Sequence, residues 1–236
     1  DYGTNGYKLK MDTTTPGADT SGKGNNFTVA NGTPTLTQGN PQNNWCTLNS
    51  LSGSLSNNIL SNGNNTIQPS SGGSGSRWRP STIAPSTGKW YAEFKPTSSS
   101  PNTSFGVTPQ VSWDSIDGEK IGSGAGGENK SVGYFTGGSV IKANSTVYSG
   151  SSYTTNDIIG VAMDLDNYYV YFSKNGVWQN SGDPTSGATG TGSVSLATNL
   201  SDWSISISQT GTTASANYGE GFFGTTAAGT NADGNG

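Results

Sequence analysis

Residues 164–178 read DLDNYYVYFSKNGVW. Asp164, Asp166 and Asn167 lead into alternating aromatic and aliphatic residues, which Asn175-Gly176 interrupts before Val177 and Trp178. Asn-Gly between alternating stretches is the composition of a tight hairpin, because both central residues need positive φ. The segment predicts a strand over 168–173 that turns back at Asn175-Gly176, with a partner strand at 158–164 before it. Alternation sends Tyr169 and Tyr171 to one side and Tyr168, Val170 and Phe172 to the other.

Composition extends this reading to the whole chain. Its 236 residues suit one large β domain with an appended arm. Hydrophobic residues make up 29% and charged residues 11%, whereas disordered chains combine low hydrophobicity with high charge. Gly, Ser, Thr and Asn fill the deficit, and these are turn and edge residues. Aromatics, at 10%, supply large buried areas for a thin core. There is no histidine, so the commonest general base and metal ligand is missing. The single Cys46 excludes an internal disulfide framework, and its flanking Trp45 and Leu48 favour burial over reactivity. No apolar run is long enough to span a membrane, and no basic cluster suits a nucleic acid. The start at Asp1, with neither Met nor a signal-like segment, leads us to expect a fragment or a processed chain.

Strand signals recur outward from the hairpin. Residues 86–96 put Trp90, Ala92 and Phe94 on one face and Tyr91, Glu93 and Lys95 on a wet face. Residues 103–109, a hairpin across Gly137-Gly138, and 202–211 with Trp203, Ile205 and Ile207 inward complete the strong set. Weaker signals precede them: a strand at 6–11, a short strand FTV at 27–29, a packing anchor of Trp45, Leu48 and Leu51, and a hairpin turning at Asn62-Gly63. Residues 70–76 (SSGGSGS) read as a linker or a long surface loop. Sustained helical periodicity is missing, so the pattern is that of a sandwich.

Residues 87–223 resemble a SPRY domain, the bent β-sandwich of many eukaryotic ligase and signalling proteins. GKWYAEF (88–94), SFGV (104–107), the long DIIGVAMDLDNYYVYFSKNGVW (157–178), and SVSLATN (193–199) followed by WSISIS and Asn217-Tyr218-Gly219 carry the resemblance in the family's order. A second resemblance covers residues 17–65. DTSGKGNNFTV, PQNNWCTLN and LSNGNNTI are similar to the region before SPRY-like modules in structural proteins of tailed bacteriophages. It implies a role exposed on a virion, as a fibre, tail or head-appendage component.

Candidate sites are few. Asp164 and Asp166, with Asp157 near, could offer oxygen ligands to Ca²⁺. The competing and favoured reading makes Asp166-Asn167 a turn whose carboxylates accept backbone N–H groups. Asp19, Ser21, Asn25 and Asn26 pose the same choice, and Lys23 opposes a cation there. A glycosidase needs two placed carboxylates, and Asp114, Asp117 and Glu119 read instead as a solvated loop. Nucleophilic catalysis through serine or Cys46 lacks a base. Arg77 and Arg79 could meet an acidic sugar, but an edge strand ending at Pro80 is simpler. The binding candidates are the loops 110–130, 143–156 and 179–192, with Trp113, Tyr148, Tyr153 and Trp178 as amphipathic contacts.

The sequence therefore predicts an all-β protein with an N-terminal β arm and accessory region (1–76), a SPRY-like bent antiparallel β-sandwich (77–223) and a mobile tail (224–236). It predicts a non-catalytic virion or extracellular module without cofactor, metal, nucleic acid or membrane insertion. The expected partners are other virion proteins, copies of itself (a homotrimer suits a fibre), or a host-surface glycan or protein. The alternatives are a lectin-like or polysaccharide-degrading module and a secreted or surface-layer protein of a cell.

Overall fold

The structure, a computed structural model, describes residues 2–10, 15–30, 44–53, 58–70, 77–98, 100–110, 121–122, 130–224 and 226–228. It divides into two compact units, Asp1–Trp45 and Cys46–Gly236.

The smaller unit is organised by one carboxylate. Asp19 accepts hydrogen bonds from the backbone of Lys8, Ser21 and Asn25 and from the Ser21 hydroxyl, at 2.8–2.9 Å. These donors, led by Lys8 N–H, hold its carboxyl well below the usual range. The Ser21 and Asn25 contacts are those of the turn reading for loop 19–26, and Lys8 N–H adds one from outside the loop. Leu9 and Asp19 form an isolated bridge rather than the strand expected over 6–11. Residues 27–29 are irregular, not a strand, and Phe27 and Val29 stay exposed. Phe27 instead meets Tyr7 edge to face, ring centroids 4.6 Å apart.

The larger unit holds two antiparallel sheets. The first is ordered β1 (Asn58–Ser61), β2 (Thr66–Pro69), β14 (Ala214–Asn217), β4 (Lys89–Pro96), β9 (Ile159–Asp164), β10 (Tyr169–Lys174) and β11 (Val177–Trp178), and β12 (Val194–Ser195) also pairs with β10. The second is ordered β3 (Arg77–Arg79), β13 (Trp203–Gln209), β5 (Ser104–Pro109), β6 (Val132–Phe135), β7 (Ser139–Lys142) and β8 (Ser145–Ser149). A small hairpin joins β15 (Phe222–Phe223), at the end of the expected sandwich, to β16 (Thr226–Ala227), inside the expected tail, of which residues 225 and 229–236 lie outside the described residues.

The core forms where the apolar faces meet. Ala92, Phe94, Val161, Val170 and Phe172 come from the first sheet, and Phe105, Val107, Tyr134, Trp203 and Ile207 from the second. Phe94 stacks on Phe105 at 4.8 Å, and Tyr134 meets Phe172 at 5.6 Å. As predicted, Trp203, Ile205 and Ile207 point inward. Ser204, Ser206 and Ser208, which alternate with them, are buried too, beside Thr108, Gly106 and Ser104 of β5.

Residues 46–69, which the sequence reading places ahead of the sandwich, belong to the larger unit. Leu48 and Ile67 lie in its core, whereas Trp45 and Leu51 are exposed, so Leu48 alone is the anchor. β1 and β2 pair across the predicted turn, with Asn62 at φ 52° and Gly63 at φ 65°. Arg79 ties this edge together. The residue is 3% exposed, and its guanidinium donates to Asn58 Oδ1 at 2.7 and 3.0 Å and to the Ser52 carbonyl at 3.0 Å. It thus links β3 of one sheet to β1 of the other and is not available to a sugar.

Candidate functional site

The β9–β10 turn settles the two acids. Asp164 Oδ1 accepts the N–H groups of Asp166 and Asn167 at 3.1 Å, and its Oδ2 takes the Asn167 amide at 3.0 Å and Lys89 Nζ at 2.6 Å. Burial opposes ionisation, but Lys89 and Asn167 outweigh it and hold the carboxyl below its usual range. Asp166 accepts Gly88 N–H at 2.9 Å. Both acids therefore act as turn builders, and the cation reading has no remaining acceptor to use on Asp164. Among the described residues no group of three or more ligating side chains could hold a metal ion.

At the opposite end of these strands Asn175 and Gly176 adopt φ 48° and 79°, as the hairpin requires. Asn175 fastens the neighbouring loop. Its Oδ1 accepts Ile158 N–H and its amide donates to Asp157 Oδ1, each at 2.8 Å. Lys174 Nζ pairs with Asp157 at 3.2 Å and donates to the Ser152 carbonyl at 2.8 Å. Buried Gln179 accepts Ser151 N–H at 2.7 Å. Residues 150–158 are thus knitted to 174–179 instead of hanging free.

Residues 179–193 are equally fixed. Asp183 Oδ1 takes the N–H and hydroxyl of Thr185 at 2.8 and 2.6 Å, and Asp183 N–H reaches the Thr191 carbonyl. This segment covers the outer face of β10. A Cβ on Gly190 would stand 2.6 Å from the Tyr169 ring, and Tyr171 is buried beneath the segment near Gly182 and Ser186. That explains why both faces of the aromatic hairpin could be apolar.

The four aromatic candidates separate. Tyr153 is 3% exposed and sits in the core, its hydroxyl shared between the carbonyls of Thr103 and Tyr134 at 3.0 and 2.9 Å, so it does not contact a partner. Tyr148 packs its ring on the core and buries its hydroxyl, and that burial raises its pKa. Trp113 lies outside the described residues, as do Asp114, Asp117 and Glu119. Trp178 is partly exposed and meets Tyr91 edge-on at 6.3 Å. Tyr91 was read only as part of a wet strand face. Gly160, opposite Glu93, makes room for it: a Cβ there would stand 2.6 Å from the Tyr91 hydroxyl. That hydroxyl donates to buried Glu93 at 2.9 Å. Val177, the neighbour of Trp178 on β11, is 67% exposed, and strand alternation turns it to the opposite face from Trp178. The exposed residues of the flanking loops include Ser151, Ser152, Thr154, Thr155, Asn156 and Asn180, with Asp183 as an exposed charge among them. The arrangement offers a rigid surface of hydroxyls and amides beside one aromatic edge. It suits recognition of a surface and shows no nucleophile beside a base.

No family model matches the chain, and no curated protein matches it. Among solved structures, the SPRY domain of human HERC1 superposes with a TM-score of 0.56 at 14% identity, covering 73% of this chain and 98% of that one. A human SPRY domain gives 0.50 at 14% identity, covering 69% and 96%. The chain therefore has a SPRY-like fold.

Proposed function

We propose that the protein is a non-catalytic adhesion or structural module of a tailed-phage virion, which binds a host-surface glycan or protein, or a neighbouring virion protein, through the hairpin end of its sandwich. The observation that carries the binding reading is the fastening of 150–158 and 179–193 at the hairpin end, where the Tyr91–Trp178 pair and the exposed Val177 stand. Preorganised loops lose little entropy on association. The phage assignment rests on the resemblance of residues 17–65 to virion proteins, and a loop surface poor in charge is compatible with it. Binding through hydroxyls, amides and aromatics depends little on ionic strength, because few charges are screened. The test is co-sedimentation of the protein with host envelope fractions at low and high salt. Retention at both, with loss on Val177→Asp, is expected; release at moderate salt overturns charge-independent binding. The aromatic edge beside Glu93 favours a saccharide as second reading. Incubation with host capsule distinguishes a lectin from a depolymerase by whether the polymer shortens.

A further inference from the structure

Glu220 lies on the turn between β14 and β15 and is 7% exposed. Its Oε2 accepts Tyr218 N–H at 2.8 Å, while Oε1 is buried without a hydrogen-bond partner. The ion pairs of the larger unit's described residues, Lys89–Asp164 and Lys174–Asp157, leave it uncompensated. Its titratable surroundings are Tyr218 on the same turn and Cys46 beside Tyr218. The Tyr218 hydroxyl is committed to the Ile205 carbonyl at 3.1 Å, and its ring stands edge-on to Phe94. Burial raises both Tyr218 and Cys46, so both are neutral and neither offsets a negative charge.

The turn itself is tightly tied. Asn217 Oδ1 accepts Gly219 N–H at 3.0 Å and Gly221 N–H at 3.1 Å, with those glycines at φ 114° and 80°. Asn65 bonds Ala216 N–H through its carbonyl, and its side-chain Oδ1 is a second buried acceptor without a donor. Two orphaned acceptors at one end of β14 mark a place short of hydrogen. A carboxylate there has exchanged its water for backbone N–H groups alone, those of Tyr218 and of Glu220 itself, which favours the neutral acid.

We propose that Glu220 is a proton-operated latch: uncharged, it keeps turn 217–221 closed and the β15–β16 hairpin seated; ionised, it loosens both. The hairpin is held closely at that point, since Phe223 is buried and a Cβ on Gly224 would meet Asn62 and Thr66 at 3.1 and 3.2 Å. Burial, only partly offset by backbone N–H groups, lifts the Glu220 carboxyl from 4.5 to about 7. The unfolded chain releases this proton at the ordinary value and the folded chain at about 7. Stability therefore falls as pH rises between those two values and is level above them.

The experiment follows the Glu220 carboxyl carbon by NMR titration of the whole chain, alongside amide exchange corrected for its intrinsic pH dependence. A midpoint near 7 is expected, with protection over 218–223 falling about tenfold or more across that midpoint while 159–164 holds. In Glu220→Gln the same amides should lose this pH dependence. A carboxyl midpoint near the ordinary 4.5, or an unchanged fall in Glu220→Gln, overturns the latch. Should that variant not fold, the midpoint in the native protein decides alone.

Discussion

Replacing Arg79 with Met tests whether the edge of the sandwich is closed by one guanidinium. Methionine keeps much of the aliphatic stem and removes the donors. Asn58 Oδ1 and the Ser52 carbonyl then lose bonds of 2.7–3.0 Å, and the Asn49 carbonyl loses a longer one at 3.4 Å. Bonds from a charged donor contribute about 1.5–3 kcal/mol each, and an acceptor left buried and unpaired costs about 1–3 kcal/mol. Against this stands the desolvation of the guanidinium, whose burial lowers its pKa and whose removal relieves the fold. The balance for two well-made acceptor sites is a loss of about 3 kcal/mol. In urea, with a slope of about 2–3 kcal/mol per molar, the midpoint should fall by about 1–1.5 M. Arg79→Lys should fall between the two, since one ammonium does not reproduce the planar fork. Amide exchange should show β1 opening first, because Asn58 is the residue released. A midpoint within about 0.2 M of the native protein would refute the reasoning.

Other substitutions probe the site. Gly160→Val places side-chain atoms where the Tyr91 hydroxyl and Ser173 Oγ now stand, so it should shift Trp178 fluorescence and cost about 1–3 kcal/mol. Asp164→Asn should cost about 1–3 kcal/mol by removing Lys89's partner and weakening the turn bonds, measured by thermal melting. The native Asp164 carboxyl sits below 3.8, so its contribution is present above that value and disappears as pH falls through the folded value; the variant should lose this part of the acid limb. Addition of Ca²⁺ or a chelator should leave the melting temperature unchanged, because the donors around Asp164 already occupy its oxygens. Val177→Asp should leave stability within about 0.5 kcal/mol while abolishing envelope binding, since the side chain is 67% exposed.

The local features of the fold were readable because short-range chemistry dictates them. Asn175-Gly176 and Asn62-Gly63 demand positive φ, and the alternation in 203–209 marks a face that packs, whereas in 88–94 it marks Ala92 and Phe94 but not Trp90, which is 43% exposed. What escaped was set by partners far along the chain. Tyr153 looks like any loop aromatic until Thr103 and Tyr134 receive its hydroxyl. Arg79 reads as an edge charge until Asn58, 21 residues earlier, meets it. Glu93 looks wet because nothing in GKWYAEF says that Tyr91 will fold over Gly160 and reach it. Tyr171 is buried by 179–193, a segment whose Gly, Ser and Thr content reads as free loop although its own Asx and hydroxyl bonds make it a cover. Trp178 could be chosen from sequence, but not its Tyr91 neighbour, which comes from another strand.

The fastening of 150–158 separates support from display. Ser151, Ser152 and Thr154 are held through backbone groups, to Gln179, Lys174 and Asp157, and the three side chains doing the holding lie outside 151–155. The exposed side chains at 151, 152, 154 and 155 can thus be exchanged without cutting the bonds that shape the loop. A library randomised at those four positions should retain the parental melting temperature in most members. Such a chain can change what it recognises by point substitution while its scaffold stays the same.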